Sequence, residues 1–356
     1  MIRAPNVELE PSVPLAPKTT LGVGGAAAAL AVARSEADVA EAVARARAQK
    51  LPLQVLGGGS NLVVSDAGVE GLTLAISLRG VEWRADGRVT AAAGEPWDAL
   101  VAASVERGLA GLECLSGIPG LVGATPIQNV GAYGQEVSER IARVRAFDRE
   151  SGAVVELGNG ECRFAYRDSY FKSHAPGRFV VLAVEFRLTP GGAPAVRYPE
   201  LERELAARGL REPSLADVRR VVLALRGRKS MLFDPSDENG RSCGSFFVNP
   251  IVDAALADEV GARAADPSMP RFAQADGRVK LSAAWLIERA GLEKGTRDGN
   301  VGLSTKHTLC IVAHPGARAD EIVRFAARVQ RTVLERFGVR LEPEPVFWGF
   351  AQPPMP

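Results

Sequence analysis

The chain has 356 residues, with 43 Lys+Arg against 42 Asp+Glu, and is 46% hydrophobic. This length predicts two or three domains, and the composition excludes disorder throughout the chain. The net charge of +1 provides no overall attraction for nucleic acid, and the longest apolar run, 26–33, is too short to span a bilayer. The first residues lack the apolar core of a signal peptide. We therefore expect a cytoplasmic protein without nucleic-acid or membrane partners.

Histidine and cysteine are scarce and scattered. The sequence contains 3 His and 4 Cys, and neither a CxxC nor an HExxH pattern occurs. These spacings exclude a typical zinc site, so we predict no metal centre and expect reduced, mostly buried thiols. With so few histidines, acid–base chemistry in an enzyme would fall on other residues or on a cofactor.

The first third of the chain mixes short helices and strands. Ser35 and Asp38 form a capping-box pattern, Asp86-Gly87 is typical of a hairpin turn, and Gly108 suits a helix end. The predicted elements, in chain order, are a helix over 36–49, strands over 53–56 and 72–76, a hairpin over 81–92, and a helix over 97–107.

Regular patterns resume after a long glycine-rich stretch, 111–134. Ser214 with Asp217 predicts a helix that begins at Leu215, and Pro343 and Pro345 make the last strand an edge or bent strand. The other predicted elements are strands over 141–148 and 179–188, a boundary or turn over 190–194, helices over 280–290 and 318–337, and strands over 308–313 and 339–346.

Two short glycine clusters resemble phosphate-binding loops. Residues 22–27 fit G-x-G-x-x-A, but no strand pattern precedes them, which favours a glycine-rich turn over a dinucleotide fingerprint. The cluster 57–61, GGGSN, follows a predicted strand. Its backbone N–H groups could converge on a pyrophosphate, although a tight turn between strands explains the same residues.

The segment 116–134 strengthens the interpretation of a ligand site. Its small residues permit the close approach of a flat, extended ligand, and Gln128 and Asn129 offer uncharged donors and acceptors. A packed turn is the alternative. Glycines interleaved with Ile118, Val122 and Ile127 are more than a surface loop requires.

Five blocks in register resemble one family. They are GGGSN at 57–61, SGIPGLVGATPIQNVGAYG at 116–134, YRDSYFK at 166–172, GSFFVNP at 244–250 and LEPE at 341–344. Together they resemble the UDP-N-acetylenolpyruvoylglucosamine reductase family, over nearly the whole chain. The resemblance implies NADPH-dependent, FAD-mediated reduction of UDP-N-acetylglucosamine enolpyruvate to UDP-N-acetylmuramate, a step of peptidoglycan synthesis that serves cell-wall formation and cell division.

The resemblance also implies an α+β fold with a two-subdomain FAD-binding region of the vanillyl-alcohol-oxidase (PCMH) type and a C-terminal α+β substrate-binding domain. The expected divisions are 1–79 for the first FAD-binding subdomain, completed by about 340–356, then 80–228 for the second, and 229–339 for the substrate-binding domain. FAD would be bound non-covalently, and NADPH would be the hydride donor.

The two glycine-rich blocks would line the flavin, the first at its pyrophosphate. The expected FAD contacts are Gly57, Gly58, Gly59, Ser60, Asn61, Ser116, Gly117, Gly123, Ala124, Pro126, Gln128, Asn129, Gly131, Ala132, Tyr133 and Gly134.

Three residues match the family's catalytic positions. Arg167 would neutralise the developing enolate, Ser245 would donate a proton to carbon, and Glu344 would donate to the enolate or orient a water. Each has a plainer interpretation from the residues alone. Arg167 could pair with a carboxylate such as the neighbouring Asp168, Ser245 could cap a turn, and Glu344 could be a solvated charge.

Tyr198, Lys229 and Asn249 match family positions near the substrate or nucleotide. Lys229 could equally be a solvated charge at a helix end. The chain departs from the family pattern after Glu344, where it reads Pro345-Val346-Phe347 and many members carry Val then Arg.

Two other functions are alternatives: another FAD-dependent oxidase or dehydrogenase of this fold, and a flavin-binding protein without turnover. Such oxidases often tether flavin through His or Cys, which 57–61 and 116–134 lack. The expected partners are the UDP-sugar substrate and NADPH. The sequence leaves the oligomeric state unknown and slightly favours a monomer.

Overall fold

A computed structural model describes residues 7–234, 236–352 and 354–355. Residues 1–6, 353 and 356, at the ends of the predicted first FAD-binding subdomain, lie outside the described residues. The chain divides into two compact units. The described residues of unit 1 fall within Met1–Val13, Ala27–Gly59 and Glu70–Leu232, and those of unit 2 within Pro14–Ala26, Ser60–Val69 and Phe233–Pro356.

Unit 1 is built on two sheets that share a core. Strands Leu53–Leu56 and Val69–Ile76 run parallel, with Leu53 opposite Leu72. The larger sheet is antiparallel throughout. In spatial order, the first sheet consists of Glu10–Pro14, Ala26–Ala33, Val69–Ile76 and Leu53–Leu56, and the second of Ala153–Gly158, Ile141–Asp148, Phe179–Arg187, Arg88–Ala92 and Val81–Trp83.

The helices of unit 1 begin close to the predicted residues. The Ser35/Asp38 and Ser214/Asp217 capping boxes both form, which confirms those two helix starts. Gly108 follows the second helix with φ 66, a left-handed backbone that suits glycine. The helices are α1 (Glu36–Ala48), α2 (Trp97–Glu106), α3 (Pro199–Ala207) and α4 (Leu215–Arg228).

Short elements fill the glycine-rich stretch and its surroundings. Thr189–Pro190 pairs with Leu109–Ala110, so the predicted turn or boundary at 190–194 is a turn inside unit 1. Gly131–Ala132 pairs with Gln135–Glu136 in a tight hairpin. Single helical turns occur at Glu113–Leu115, Val122–Ala124, Val137–Glu139 and Tyr170–His174.

Unit 2 combines small sheets with three helices among the described residues. The helices are α5 (Ala254–Ala264), α6 (Ala283–Arg289) and α7 (Ala319–Phe337). Its antiparallel sheet orders Ser242–Ser245, Cys310–Ala313, Val301–Leu303 and Arg297–Asp298, and a second sheet orders Ile251–Val252, Val279–Leu281 and Arg271–Ala273. A helical turn also lies at Ala16–Lys18.

Helix α7 supplies one wall of the core of unit 2. Ile322, Phe325, Val329, Val333 and Phe337 repeat at three- or four-residue intervals and are all buried. Gly338 ends the helix with φ 72, as its sequence position predicts.

Two predicted elements of unit 2 were wrong in their bounds. The helix predicted over 280–290 begins only at Ala283, because Val279–Leu281 pairs in a sheet. The Ser282 hydroxyl then caps the helix by accepting a hydrogen bond from the Trp285 N–H. The strand predicted over 339–346 is not formed there. The chain pairs later, at Val346–Trp348, which runs parallel to Leu62–Val64. Prolines 343 and 345 lack the N–H group that an earlier ladder would need.

Candidate active site

Arg167 is presented on a two-residue turn in unit 1. Ala165 and Asp168 exchange backbone hydrogen bonds of 3.0 and 3.1 Å, and Tyr166 and Arg167 form the tip. Arg167 has φ 55, in the left-handed region. This conformation costs a residue with a side chain about 1–2 kcal/mol. The turn must therefore be held by its surroundings.

Side chains on both sides hold this turn. Asn129 Nδ2 donates to the Ala165 carbonyl at 3.0 Å, and Lys172 Nζ donates to the Arg167 carbonyl at 2.8 Å. The Arg167 guanidinium itself donates to the Gly131 carbonyl at 2.8 Å and lies 5.3 Å from the centre of the Tyr166 ring. The head group is thus directed at the glycine-rich stretch.

Asp168, the carboxylate considered as a partner for Arg167, accepts hydrogen bonds from the Ser169 backbone N–H and the Ser173 hydroxyl. Both donors lie in the segment that follows the turn. The Asp168 carboxylate thus fixes the start of the next helical turn.

Gly57–Gly59 belongs to unit 1 and lies against the second glycine-rich block. A Cβ atom on Gly58 would come within 2.7 Å of Gly120 Cα, and one on Gly57 would meet only Ala124 Cβ, at 3.9 Å. Gly59 has φ 61. The two loops therefore offer a surface of backbone and small, uncharged side chains. Such a surface fits the phosphates of FAD, because N–H groups can reach an anion where no side chain intervenes.

The beginning of the 116–134 segment is fixed by Asp98 on α2. The Asp98 carboxylate accepts from Gly117 N–H at 2.6 Å and from both terminal nitrogens of Arg219 on α4, at 2.6 and 2.8 Å. Burial favours its protonated form, but the hydrogen bonds from Arg219 and Gly117 outweigh burial and hold the pKa of Asp98 below its usual value. The carboxylate therefore anchors the segment as an anion.

Several predicted FAD contacts already have a packing role. Asn129 is 1% exposed; besides Ala165, its amide donates to Glu136 and accepts from Ser138 N–H. Ser116 Oγ donates to the Glu113 carbonyl. A Cβ on Gly123 would lie 2.5 Å from Ala93 Cβ, so close packing explains this glycine. The contacts of these residues with FAD stay predictions.

Tyr133, Tyr198 and Lys229 come together in unit 1. The two tyrosine rings meet edge to face at 5.6 Å, and Lys229 Nζ lies 5.9 Å from the centre of the Tyr133 ring. Lys229 also pairs with Glu200 of α3 at 2.6 Å, so it is not simply a solvated charge. Burial raises the pKa of Tyr133 to about 12, so its phenol is neutral at physiological pH.

Ser245 and Glu344 come together in unit 2 through backbone pairing. Ser245 ends a strand and is paired with Cys310. The next residue, Phe246, accepts from Glu344 N–H at 2.9 Å and donates to Leu309. Phe246 and Phe247 are buried, at 0 and 1% exposed, and Ser245 is half-buried.

A buried thiol, that of Cys243, lies near Glu344. Burial raises the pKa of Cys243, and the neighbouring Cys310 and the carboxylate of Glu344 raise it further. Glu344 is half-buried and lies near Cys243, so it is not a fully solvated charge at a chain end. All four cysteines are buried, as expected.

The remaining predicted contacts of unit 2 are tied to the same strands or to a helix start. Asn61 Nδ2 donates to the Glu344 carbonyl at 3.1 Å, and the Ser60 carbonyl accepts from the Thr20 hydroxyl at 3.5 Å. Asn249 Oδ1 accepts from Ala283 N–H, which places the start of α6. Asn61 therefore contributes to fixing Glu344, whatever it contacts in a ligand.

Sequence reasoning missed Lys172, Asp98 and Glu200. Lys172 lies within the YRDSYFK block, which was its available signal, but its partner is a backbone carbonyl that no residue pattern reveals. Asp98 and Glu200 lie on helices as ordinary acidic residues. In the part of the chain that the structure describes, no group of His, Cys, Asp and Glu side chains is arranged to hold a metal ion. No helix among the described residues has the length and apolar character needed to cross a membrane.

Two family models match this chain. Residues 234–348 match the C-terminal domain of UDP-N-acetylenolpyruvoylglucosamine reductase, and residues 27–158 match an FAD binding domain. The second match covers both sheets of unit 1 in large part and the glycine-rich stretch. The first covers the strand that ends at Ser245 and the segment that contains Glu344.

Known proteins resemble the chain over nearly its whole length. The UDP-N-acetylenolpyruvoylglucosamine reductase of Streptomyces coelicolor is 46% identical over 98% of this chain and 94% of its own length, and that of Nocardia farcinica is 49% identical over 95% and 89%. The crystal structure of the Thermus caldophilus enzyme is 28% identical, covers 97% of this chain and 99% of its own, and superposes with a TM-score of 0.66.

These similarities confirm the expected fold class, α+β with an FAD-binding region and a C-terminal domain, and confirm the resemblance drawn from five sequence blocks. The chain belongs to the UDP-N-acetylenolpyruvoylglucosamine reductase family.

Proposed function

We propose that this chain is the NADPH-dependent flavoenzyme that reduces UDP-N-acetylglucosamine enolpyruvate to UDP-N-acetylmuramate for peptidoglycan synthesis. The observation that carries the proposal is the family relationship over nearly the whole chain, with all three matched catalytic residues present. The substrate is a nucleotide sugar made inside the cell, so the proposal locates the enzyme in the cytoplasm. We keep the monomer as the working oligomeric state.

FAD would be held by the loops Gly57–Gly59 and 116–134. The close approach of Gly58 to Gly120 and the uncharged backbone surface around it support the first loop as the pyrophosphate contact. The anchoring of Gly117 by Asp98 supports a rigid second loop. Bound FAD supplies the two-electron redox chemistry that couples oxidation of NADPH to reduction of the substrate's double bond.

Arg167 would stabilise the negative charge that develops on the substrate carboxylate during reduction. Its planar guanidinium matches a carboxylate, and its fixed turn means that little reorganisation is needed as the charge forms. The hydrogen bond to the Gly131 carbonyl uses one terminal nitrogen of the guanidinium and orients the rest.

Ser245 would deliver the proton to carbon, and Glu344 would donate to, or orient water at, the enolate. A serine hydroxyl is a weak acid, so it can serve only where water is excluded and the carbanion is close. The buried Phe246 and Phe247 support that exclusion, and the backbone bond between Glu344 and Phe246 supports joint placement of the two residues.

Tyr198, Lys229 and Asn249 would contact the substrate or nucleotide. The ion pair of Lys229 with Glu200 implies that an anionic phosphate competes with this carboxylate for the ammonium group. We also retain the predicted three-part domain division. The pairing of Val346–Trp348 with Leu62–Val64 supports a first subdomain that is completed by the chain's C-terminal end.

Anaerobic spectroscopy tests cofactor, donor and acceptor together. Purified protein should be yellow, NADPH should bleach the flavin absorbance, and UDP-N-acetylglucosamine enolpyruvate should restore it. A matched sample given UDP-N-acetylglucosamine, which lacks the double bond, should stay bleached. A protein that takes up no FAD contradicts every flavin hypothesis. Reoxidation by oxygen or an alcohol-derived product, without a response to the enolpyruvyl compound, would favour the oxidase or dehydrogenase alternative.

A further inference from the structure

Lys172 stands out because its ammonium group serves a backbone atom of a candidate catalytic residue. It lies in the helical turn Tyr170–His174, five residues after Arg167, and is half-buried. Its Nζ donates to the Arg167 carbonyl oxygen at 2.8 Å. Neither the family resemblance nor the proposed chemistry assigns Lys172 a role.

The Arg167 carbonyl is a sensitive point of the turn. Its direction sets the peptide plane between Arg167 and Asp168, and Arg167 is in the left-handed region at φ 55. Such a backbone persists only when its surroundings over-determine it. The paired backbone of Ala165 and Asp168 closes the base of the turn, whereas Lys172 acts at its tip.

The bond is also of the stronger kind. A hydrogen bond from an ammonium ion to a carbonyl is shorter and stronger than one between neutral groups. An apolar residue at 172 would remove this bond, and only the Asp168 N–H bond to Ala165 would then hold the peptide plane, so that the plane and the guanidinium of the same residue could shift. A displacement of about 1 Å near a reacting centre can lower a rate by about 100-fold.

We propose that Lys172 is a positioning residue for Arg167, acting through the carbonyl of that residue and not on the substrate. The inference rests on the proposed function, in which Arg167 assists the reaction with the enolpyruvyl substrate. It follows that Lys172 affects the half-reaction that oxidises the flavin and leaves its reduction by NADPH untouched.

The test measures both half-reactions by anaerobic stopped flow in FAD-loaded Lys172→Met, Lys172→Arg and the exposed control Lys294→Met. Lys172→Met should slow reoxidation by the enolpyruvyl substrate about 10- to 100-fold through kcat, with flavin reduction by NADPH within about twofold of wild type. Lys172→Arg keeps a cationic donor and should recover most of the rate. Lys294→Met should match wild type.

A double-mutant cycle separates positioning from general stabilisation. In an Arg167→Met background, Lys172→Met should slow reoxidation no further, since the group that it positions is gone. Equal losses in both half-reactions, or independent losses in the cycle, would overturn the proposal. Reoxidation of Lys172→Met at the wild-type rate would overturn it as well.

Failure of the proposed function would give a result different from failure of the positioning role. In that case the wild-type protein itself would not be reoxidised by the enolpyruvyl substrate, and no comparison among variants would arise. If Lys172→Met fails to load FAD, Lys172→Gln, which retains a neutral donor, replaces it in the double-mutant cycle. The ratio of the two half-reaction rates in Lys172→Gln and Lys172→Arg then tests the proposal.

Discussion

The turn that carries Arg167 and the region of unit 2 that carries Ser245 and Glu344 fix candidate catalytic residues in different ways. At the turn, side chains bond to backbone carbonyls: Asn129 to Ala165 and Lys172 to Arg167. In the region of unit 2, the main contacts are bonds between backbone groups, with one added by Asn61.

The two regions differ in how many side chains must have a particular identity for the site to keep its geometry. A backbone ladder tolerates most side chains, so only the reacting groups themselves need to be specified at the Ser245 strand. The left-handed turn at Arg167 is closed by one isolated pair of backbone bonds, between Ala165 and Asp168, which does not extend into a ladder. It depends on particular side chains that never meet the substrate, which makes unit 1 more sensitive to distant substitutions.

The largest effect that the contrast predicts is a loss of reaction rate without a loss of stability, in a variant at Ser245. Ser245→Ala should slow reoxidation of the flavin by substrate on the order of 10²–10⁴-fold, because a proton donor is removed. Flavin reduction by NADPH and the thermal midpoint should stay close to wild type, since the strand is held by its backbone. Stopped-flow kinetics and thermal unfolding measure both quantities.

Ser242→Ala is the matched control, since Ser242 lies on the same strand. It should retain the reoxidation rate. If both half-reactions slow equally in Ser245→Ala, Ser245 is not the proton donor; a large drop in its thermal midpoint would remove the contrast between the two regions.

A smaller but revealing effect is expected at the turn. Asn129→Ala removes the support of Ala165 and leaves buried groups unpaired, which costs about 1–3 kcal/mol of stability. Reoxidation should also slow, about 10- to 100-fold, although the buried Asn129 side chain is not a reacting group. Urea unfolding and half-reaction kinetics provide the two readouts.

Asn159→Ala is the comparison for this variant, because Asn159 Nδ2 likewise donates to two carbonyls, of Ser138 and Ile141, neither of which belongs to the turn 165–168. It should lose stability without changing the ratio of the half-reaction rates. An unchanged ratio in Asn129→Ala would show that the turn holds Arg167 without that amide.

The smallest predicted effect concerns acid. Because the pKa of Asp98 is lowered in the folded protein, its contribution to stability is present above the unfolded value, near 3.8, and is lost as the pH falls below it. The free energy of unfolding of the wild type should exceed that of Asp98→Asn by about 1 kcal/mol at pH 7, and this difference should shrink below pH 4.

Urea unfolding at pH 7, 5 and 3.5 measures that difference. Asp258→Asn is the control, since Asp258 is an exposed carboxylate in an ion pair with Arg271. A wild-type advantage over Asp98→Asn that persists unchanged at pH 3.5 would mean that the carboxylate does not anchor Gly117 as an anion.

The sequence predicted the parts of the fold that local chemistry decides. The capping boxes at Ser35 and Ser214 and the glycine at 338 state where helices begin or end, because the capping groups lie within a few residues. Family blocks identified the candidate catalytic residues. The side chains that hold these residues in place could not be predicted from the sequence. The partner of Lys172 is a backbone carbonyl, and Arg167 has a backbone conformation that arginine rarely adopts.

Long-range pairing explains the other errors. The final strand was predicted too early because residue type alone could not show that its partner is Leu62–Val64. The helix over 280–290 was predicted too long because Val279–Leu281 finds strand partners that override its helical pattern.

The bond between Asn61 and Glu344 joins residues that are 283 positions apart. At a synthesis rate of about 5–20 residues per second, Glu344 is made roughly 15–60 s after Asn61. Strand Leu62–Val64 meanwhile has an exposed edge, a known route to mispairing. Unit 2 can therefore complete its fold only after Glu344 has been made, and a truncation before that residue would leave Phe246, next to Ser245, without its backbone partner.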